Sequence, residues 1–327
     1  LGNNVIALGA FRGIGAGLST LAGGEVEEVT NLVHEGRKHA FERMMKEARY
    51  YGGIGVAGVS FDIVNHAGNL EFIAIASTIH HGDEKQIAFS TSANAQELYC
   101  QIDAGFTPHS FVFSNIAYSI GMGGSIKGAF RGLRRGEVPQ YTEIFEKTRH
   151  LALERIKNEA KQVGANAVIG IQTSIVPLLG TQEMMMLGTA SSHEALTDFA
   201  NDPITSDMTN EEMWNLVNIG YMPLQLVMGV SVYSLGLTAG ITSSIKSFIG
   251  GKVESLTEVL YEAREKALRR LEDAAEKCGA DKVVGVKTVR SRQVALVVGS
   301  IHNVKPTMTD KNLSLRVYRN EENTNSR

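Results

Sequence analysis

One pattern written three times constrains this chain more than any other feature. The segments "GGIGVAG" (52–58), "GANAVIG" (164–170) and "GADKVVG" (279–285) each follow a charged stretch of helical character. A shift of 112 places Gly24, Val26, Thr30, Arg37, Ala40, Arg43, Ala48, Val56 and Gly58 on Gly136, Val138, Thr142, Arg149, Ala152, Arg155, Ala160, Val168 and Gly170. A further shift of 115 reaches Gly251, Val253, Thr257, Arg264, Ala267, Arg270, Ala275, Val283 and Gly285. Identities at constant offsets mark an internal repeat, in which each copy is one supersecondary unit. A second block recurs at the offset of 115, with "GFTPHSFVFSNIAYSIG" (105–121) over "GYMPLQLVMGVSVYSLG" (220–236). The first copy keeps only the tail of that block, around "VIALG" (5–9), and is expected to be N-terminally incomplete.

In the second copy, residues 137–163 carry Val138, Tyr141, Phe145, Ala152, Ile156, Ala160 and Val163 at spacings of mostly three or four, the stripe of an amphipathic helix. Gly164 supplies a C-terminal stop. "ANAVIGIQTSIV" and "QEMMMLGTASS", separated by "PLLGT", then read as a strand hairpin. Ahead of the helix, "SFVFSNIAYSI" and "LVMGVSVYSL" are β-branched and aromatic runs that predict a strand. "TNEEMWNLVNIGYMP" predicts a short helix opened by a capping box from Thr209 to Glu212. The expected fold is α+β: three tandem β-α-β-β units, each one long helix on a small, mainly antiparallel sheet. Expected boundaries are 1–90, 91–202 and 203–318, the last two each with a leading short helix, followed by a disordered tail at 319–327. Such a sheet needs a neighbour for its second face and its edges, either the next copy or another chain.

The run from Met213 to Ile245 is uncharged and long enough to span a bilayer. It contains Asn215, Asn218, Pro223 and Gln225, which a spanning helix would bury at several kcal/mol each by order of magnitude, so a helix end, a turn and a buried strand are expected instead. A net charge of −3 argues against nucleic acid as a main partner. Two cysteines outside any C-x-x-C pattern point to a reducing cytoplasm. The opening "LGNNVIALGAF" has no basic n-region, so no signal peptide is expected, and it reads as the start of a truncated product. The glycine-rich connections (9–24 and 236–251) leave peripheral contact with lipid open.

Chemistry is weakly marked. His34 and His39 are five apart, about 140° around a helix, and do not share a metal easily. His80, His81, His193 and His302 fall near the ends of the last strands, and His81 and His193 are the candidate metal ligands, with exposed strand-end histidines as the alternative. Met184 and Met186 alternate onto one strand face and are expected to pack a core or a subunit contact. "GAFRGIGAG" (9–17) and "GMGGSIKGAFRG" (121–132) lack the residues of a phosphate loop or a dinucleotide fold and read as flexible connections. No catalytic motif recurs, so no enzyme activity and no cofactor are expected. The repeated polar positions are the threonines 30, 142 and 257 and the arginine sets Arg37, Arg149, Arg264 and Arg43, Arg155, Arg270. An arginine kept through otherwise diverged copies suggests a bond to a carboxylate or to carbonyls of an adjacent unit, with a solvated helix face as the alternative.

The stretch "EVPQYTEIFEKTRHLALERIKNEAKQVGANAVIGIQT" resembles the bacterial YbjQ-like family, often labelled heavy-metal-binding domain proteins. "PITSDMTNEEMWNLVNIGYMPLQLVMGVSVY" resembles the connector of longer, multi-copy members. The likeness covers roughly residues 5–82, 92–193 and 203–304. Copy one departs at "YYGGIGVAG", where Gly53 and Ile54 replace the Ala-Asn pair. The resemblance implies a dodecin-like unit, ring-shaped homo-oligomers, commonly pentamers, among single-copy relatives, and no established activity. The function expected is a self-assembling scaffold or shell whose partner is itself; the alternative is a metal or small-ligand module with sites between subunits.

Overall fold

The computed structural model describes residues 1–7, 23–66, 69–80, 82, 88–119, 136–234, 253–278, 283–290 and 295–306. In chain order the elements are β1 (Gly2–Ala7), β2 (Gly24–Glu25), α1 (Glu27–Tyr50), β3 (Gly55–His66), β4 (Asn69–Ile79), β5 (Phe89–Ser90), α2 (Ala95–Asp103), β6 (Thr107–Ser119), β7 (Gly136–Glu137), α3 (Pro139–Gln162), β8 (Ala167–Leu178), β9 (Thr181–Ser192), a 3-10 segment (Glu194–Phe199), β10 (Ile204–Thr205), α4 (Asn210–Asn218), β11 (Tyr221–Ser234), α5 (Val253–Lys277), β12 (Val283–Arg290) and β13 (Ala295–Pro306). Three tandem α+β units result. In each, a long helix precedes an antiparallel hairpin, and the hairpin's second strand also pairs with the strand before the helix. The expected capping box closes between Thr209 and Glu212, and Asn94 and Glu97 form another at α2. The uncharged run from Met213 becomes the end of α4, a turn and β11. Among the described residues no helix is long and apolar enough to cross a membrane. The glycine-rich connections, apart from Gly23 and Gly24, and the tail at 319–327 lie outside the described residues.

The last glycine of the recurring motif has a backbone reason. Gly58, Gly170 and Gly285 have φ of 67°, 64° and 69°, and each sits where the hairpin register slips, between Ala57 and Ser60, Ile169 and Gln172, and Val284 and Lys287. A β-bulge with a left-handed residue takes glycine because a side chain there is strained. Just before the bulge in copies one and two, a two-residue strand attaches in parallel: β5 on β3 and β10 on β8.

The sheets run in the orders β1-β4-β3-β5, β10-β8-β9-β6-β2 and β12-β13-β11-β7. They alternate with the long helices as layers: first sheet, α1, second sheet, α3, third sheet, α5. The apolar clusters show the order. Val33, Ala40 and Met44 of α1 lie between Leu70 and Phe72 of the first sheet and Phe111 and Phe113 of the second. Ala152 and Ile156 of α3 lie between Ile116 and Met186 of the second and Met228 and Val230 of the third. Met184 joins Met186 in that core, whereas Met185 turns to the α1 side. Ala263, Ala267 and Leu271 of α5 cover Tyr233 and Val227. Helix and strand touch closely at one repeated position. A Cβ on Gly2 would lie 2.0 Å from Ala40 O and one on Gly229 would lie 1.9 Å from Ala267 O, while at the equivalent Ser114 the hydroxyl donates to Ala152 O at 2.8 Å.

Candidate functional site

Among the described residues, arginine–carboxylate pairs between copies gather at the two joints where a helix of one copy meets the sheet of the next. At the first joint, Thr30 Oγ1 accepts from Ala117 N at 2.9 Å, and Asn115 Nδ2 donates to Thr30 O at 3.1 Å. His34 stacks on Phe113 with 4.9 Å between ring centroids, and its Nδ1 lies 3.1 Å from Asn115 Oδ1. One turn on, Arg37 makes a two-pronged bond to Glu183, with Nη2 to Oε2 at 2.7 Å and Nη1 to Oε1. Glu183 has no exposed surface and Arg37 is 2% exposed. A planar guanidinium against a carboxylate is the geometry that best satisfies such a buried pair. From the other side, Arg155 of α3 grips Glu25 of copy one at 2.8 and 3.0 Å, and its Nη1 reaches Asn115 O at 3.4 Å.

The second joint repeats the plan with one substitution. Thr142 Oγ1 accepts from Val232 N at 3.2 Å, and Arg270 Nη1 reaches both Glu137 Oε1 at 2.6 Å and Val230 O at 2.8 Å. Burial pushes the Glu137 carboxyl up, but hydrogen bonds from Arg270 and Lys266 outweigh it and hold the group below the usual range. Arg149 stands where Arg37 stands, yet the place of Glu183, which pairs with Ala117, is taken by Leu296, which pairs with Val232. Among the described residues Arg149 therefore bonds Glu146 on its own helix, at 3.0 Å. Its Nε and Nη1 are buried with no hydrogen-bond partner among the described residues. Burial lowers its pKa. A cleft of about 300 Å³ opens beside it, lined also by His150, Gln225, Arg270, Lys277 and Cys278.

Backbone joins the copies as well. Val26 N donates to Ala117 O and Val138 N to Val232 O, both at 2.8 Å. The residues just ahead of each helix, β2 and β7, add to the edges of β6 and β11 in the following sheet.

Of the six arginines singled out in the sequence, Arg37, Arg155 and Arg270 reach a carboxylate of another copy. Arg43 donates to Asn3 O within its own copy, the counterpart of the Arg155–Asn115 and Arg270–Val230 carbonyl bonds. Arg149 stays on its own helix. Arg264 is exposed and makes no ion pair with a described residue. The acceptors Glu25, Glu137 and Glu183 were not singled out in the sequence. Their signal was present: Glu25 aligns with Glu137, and Glu71 with Glu183, at the offset of 112.

The histidines are placed differently from one another. His81 lies outside the described residues, and only the backbone of His302 is described. His193 caps the 3-10 segment, with Nδ1 accepting from Ala195 N at 3.0 Å and Nε2 at 3.2 Å from Ala104 O. Its ring packs on Phe106, and burial lowers its pKa. Both ring nitrogens are thus engaged, and metal ligation would require one of these bonds to break. Among the described residues, no cluster of three or more His, Cys, Asp or Glu is disposed to hold a metal ion. The titrating group at the first joint is Glu159, pushed up to about 7 by burial although it accepts from Phe113 N at 3.0 Å; His34 Nε2 lies 3.9 Å away.

Comparison with known proteins places this architecture. The family described as "Putative heavy-metal-binding", YbjQ, matches residues 1–79, 106–194 and 219–300, one match per copy. The chain is 38% identical over 86 residues to a UPF0145 protein of Thermotoga maritima, covering 26% of this chain and 81% of that one. A UPF0145 protein of Methanocella arvoryzae is 35% identical over 98 residues, 29% of this chain and 80% of that one. The encapsulin nanocompartment protein Rv1762c of Mycobacterium tuberculosis is 27% identical over 161 residues, 46% of this chain. That match spans 62% of the mycobacterial protein, less than two thirds of its length. No solved structure matches the chain. One match per copy, together covering most of the sequence, means that this protein belongs to the YbjQ family and carries the family's domain three times in tandem.

Proposed function

We propose that the chain is a non-enzymatic building block that assembles with copies of itself into a ring, barrel or closed shell. One observation carries the reading. β6 is buried almost continuously, because helices cover both faces of its sheet, whereas the equivalent β1 alternates buried and exposed residues because, among the described residues, α1 alone covers the first sheet. Val5 and Ile75 are left 56% and 47% exposed on that open face. Among the described residues no strand pairs with the outer edge of β1, and an exposed sheet face with apolar residues bordered by such an edge favours association. Similarity to a protein named for an encapsulin nanocompartment supports the same reading. A cytoplasmic setting fits Cys100 and Cys278, neither of which forms a disulfide.

Native mass spectrometry of chelator-free protein tests the proposal. A defined multiple of the 35.4 kDa chain with polypeptide mass alone supports a scaffold. A monomer at all concentrations overturns it. Stoichiometric metal that disappears in His81→Ala or His193→Ala would transfer the reading to a metal module.

A second reading, a small-ligand module, rests on Arg149. A buried guanidinium with two unsatisfied nitrogens beside a cleft suits a small carboxylate standing where Glu183 stands at the first joint. Calorimetric titration with citrate tests it; binding that survives Arg149→Gln would sink the idea.

A further inference from the structure

The two joints inside the chain are two examples of one interface, and both halves of a third are exposed among the described residues. The helix half is α5. In α1, Thr30 and Arg37 are buried against the second sheet, and in α3, Thr142 and Arg149 are buried against the third. The equivalents on α5, Thr257 and Arg264, are exposed, as is Tyr261 at the position of His34, with Leu268 half-buried beside them at the position of Phe41. Among the described residues, no sheet follows α5 in the order of layers.

The sheet half is the open face of the first sheet. Where the second sheet presents Ala117, Glu183 and Leu187 to α1, the first sheet presents Val5, Glu71 and Ile75. The first three are buried under a helix, and the second three are not. Glu71 pairs across the ladder with Val5, as Glu183 pairs with Ala117. Its carboxylate now accepts from Asn3 Nδ2 at 3.0 Å and contacts the exposed His66 at 2.7 Å. The edge agrees with the face: β6 and β11 each carry a two-residue strand from the preceding copy, whereas β1 is, among the described residues, the last strand on its side of the first sheet.

We infer that α5 of one chain docks on the open face of the first sheet of a second copy, with Arg264 gripping Glu71 as Arg37 grips Glu183. This deepens the self-assembly reading above and rests on it. The partner is a second copy because each half matches, position by position, the half that it meets twice within the chain. Val5 and Ile75 supply the apolar area, Tyr261 and Leu268 the facing side chains, and Arg264 and Glu71 one complementary charge pair. The contact is head-to-tail, so it closes into a ring or propagates as a helix according to the rotation per copy. One bond of the internal joints is not reproduced. Lys252 stands at the position of Glu25 and Glu137, which pair with Arg155 and Arg270, so Arg43 has no such carboxylate to meet. The joint between chains is therefore weaker than the joints within, and Arg264–Glu71 is its principal ion pair.

Sedimentation velocity of the full chain across a concentration series tests this, with circular dichroism as the check on folding. The wild-type chain is expected to assemble, Arg264→Glu and Glu71→Arg each to weaken assembly by roughly tenfold or more, and the double reversal to recover it. Wild-type assembly that neither single reversal disturbs would overturn this joint while leaving self-assembly intact. Single reversals that weaken assembly with no recovery in the double variant would overturn the pairing of these two residues. A wild-type chain that stays monomeric would overturn the self-assembly reading and this inference together.

Discussion

Arg37 and Glu183 were both taken out of water by the closing of the first joint, so each depends on the other to offset its desolvation. Removing one leaves the other buried and uncompensated, and Arg37→Ala is expected to cost about 3–5 kcal/mol in urea unfolding. Replacing both with apolar residues, Arg37→Met with Glu183→Leu, is expected to recover most of that loss, which a double-mutant cycle reads directly. Glu159 makes the opposite kind of contribution. Its carboxyl titrates near 7 in the folded chain against an ordinary 4.5, so between those values the folded protein holds a proton that the unfolded chain has released. Stability therefore falls as pH rises through that window and stays reduced by up to roughly 3 kcal/mol above it. Glu159→Gln is expected to flatten this slope and to be the more stable protein at about pH 8, as unfolding measured on both sides of the window will show.

Helices and hairpins were legible in the sequence because their periods and caps are local. The stripe from Val138 to Val163, the stop at Gly164 and the box from Thr209 to Glu212 all depend on neighbours within a few turns. What the arginines bind was not legible. Whether Arg37 meets a carboxylate or solvent depends on which sheet lies over α1, and no periodicity encodes the order of layers. The same dependence explains why Arg149 and Arg264, at equivalent positions of the repeat, end up buried without a full partner and exposed, respectively. The sequence also marked Ala40, Ala152 and Ala267 as repeated without saying why. The reason is the close approach of helix to strand, which Gly229 permits by having no side chain. Gly229→Ala would put a methyl 1.9 Å from Ala267 O. Pushing α5 off its sheet in this way is expected to cost about 1–3 kcal/mol, the usual range for overpacking, and a thermal melt is sufficient to detect it.

Across the whole molecule, each internal helix belongs to two cores, so the copies do not have independent stabilities. Nearest-neighbour coupling of this kind makes a short repeat array unfold as one unit. Trp214 is the chain's one tryptophan and bonds across short helices, its Nε1 donating to Asp103 Oδ2 at 2.6 Å. Its fluorescence is expected to follow the same denaturation curve as the helical signal. Ile156→Ala, a cavity at the centre of α3, is expected to shift both curves together by about 2–5 kcal/mol; separated curves would show that the copies melt independently.

Covalent linkage also imposes arithmetic. A ring built from free single domains can close on any number that its joint angle allows, five included. A ring built from a chain of three such domains closes only on a multiple of three, because the layers arrive in indivisible triplets. If the preferred angle at each joint is incommensurate with such a count, no change in affinity can close the circle, and the same contacts wind into a spiral instead. Duplicating a domain within a gene is thus a way to choose between a closed object and an open one without altering a single interface residue.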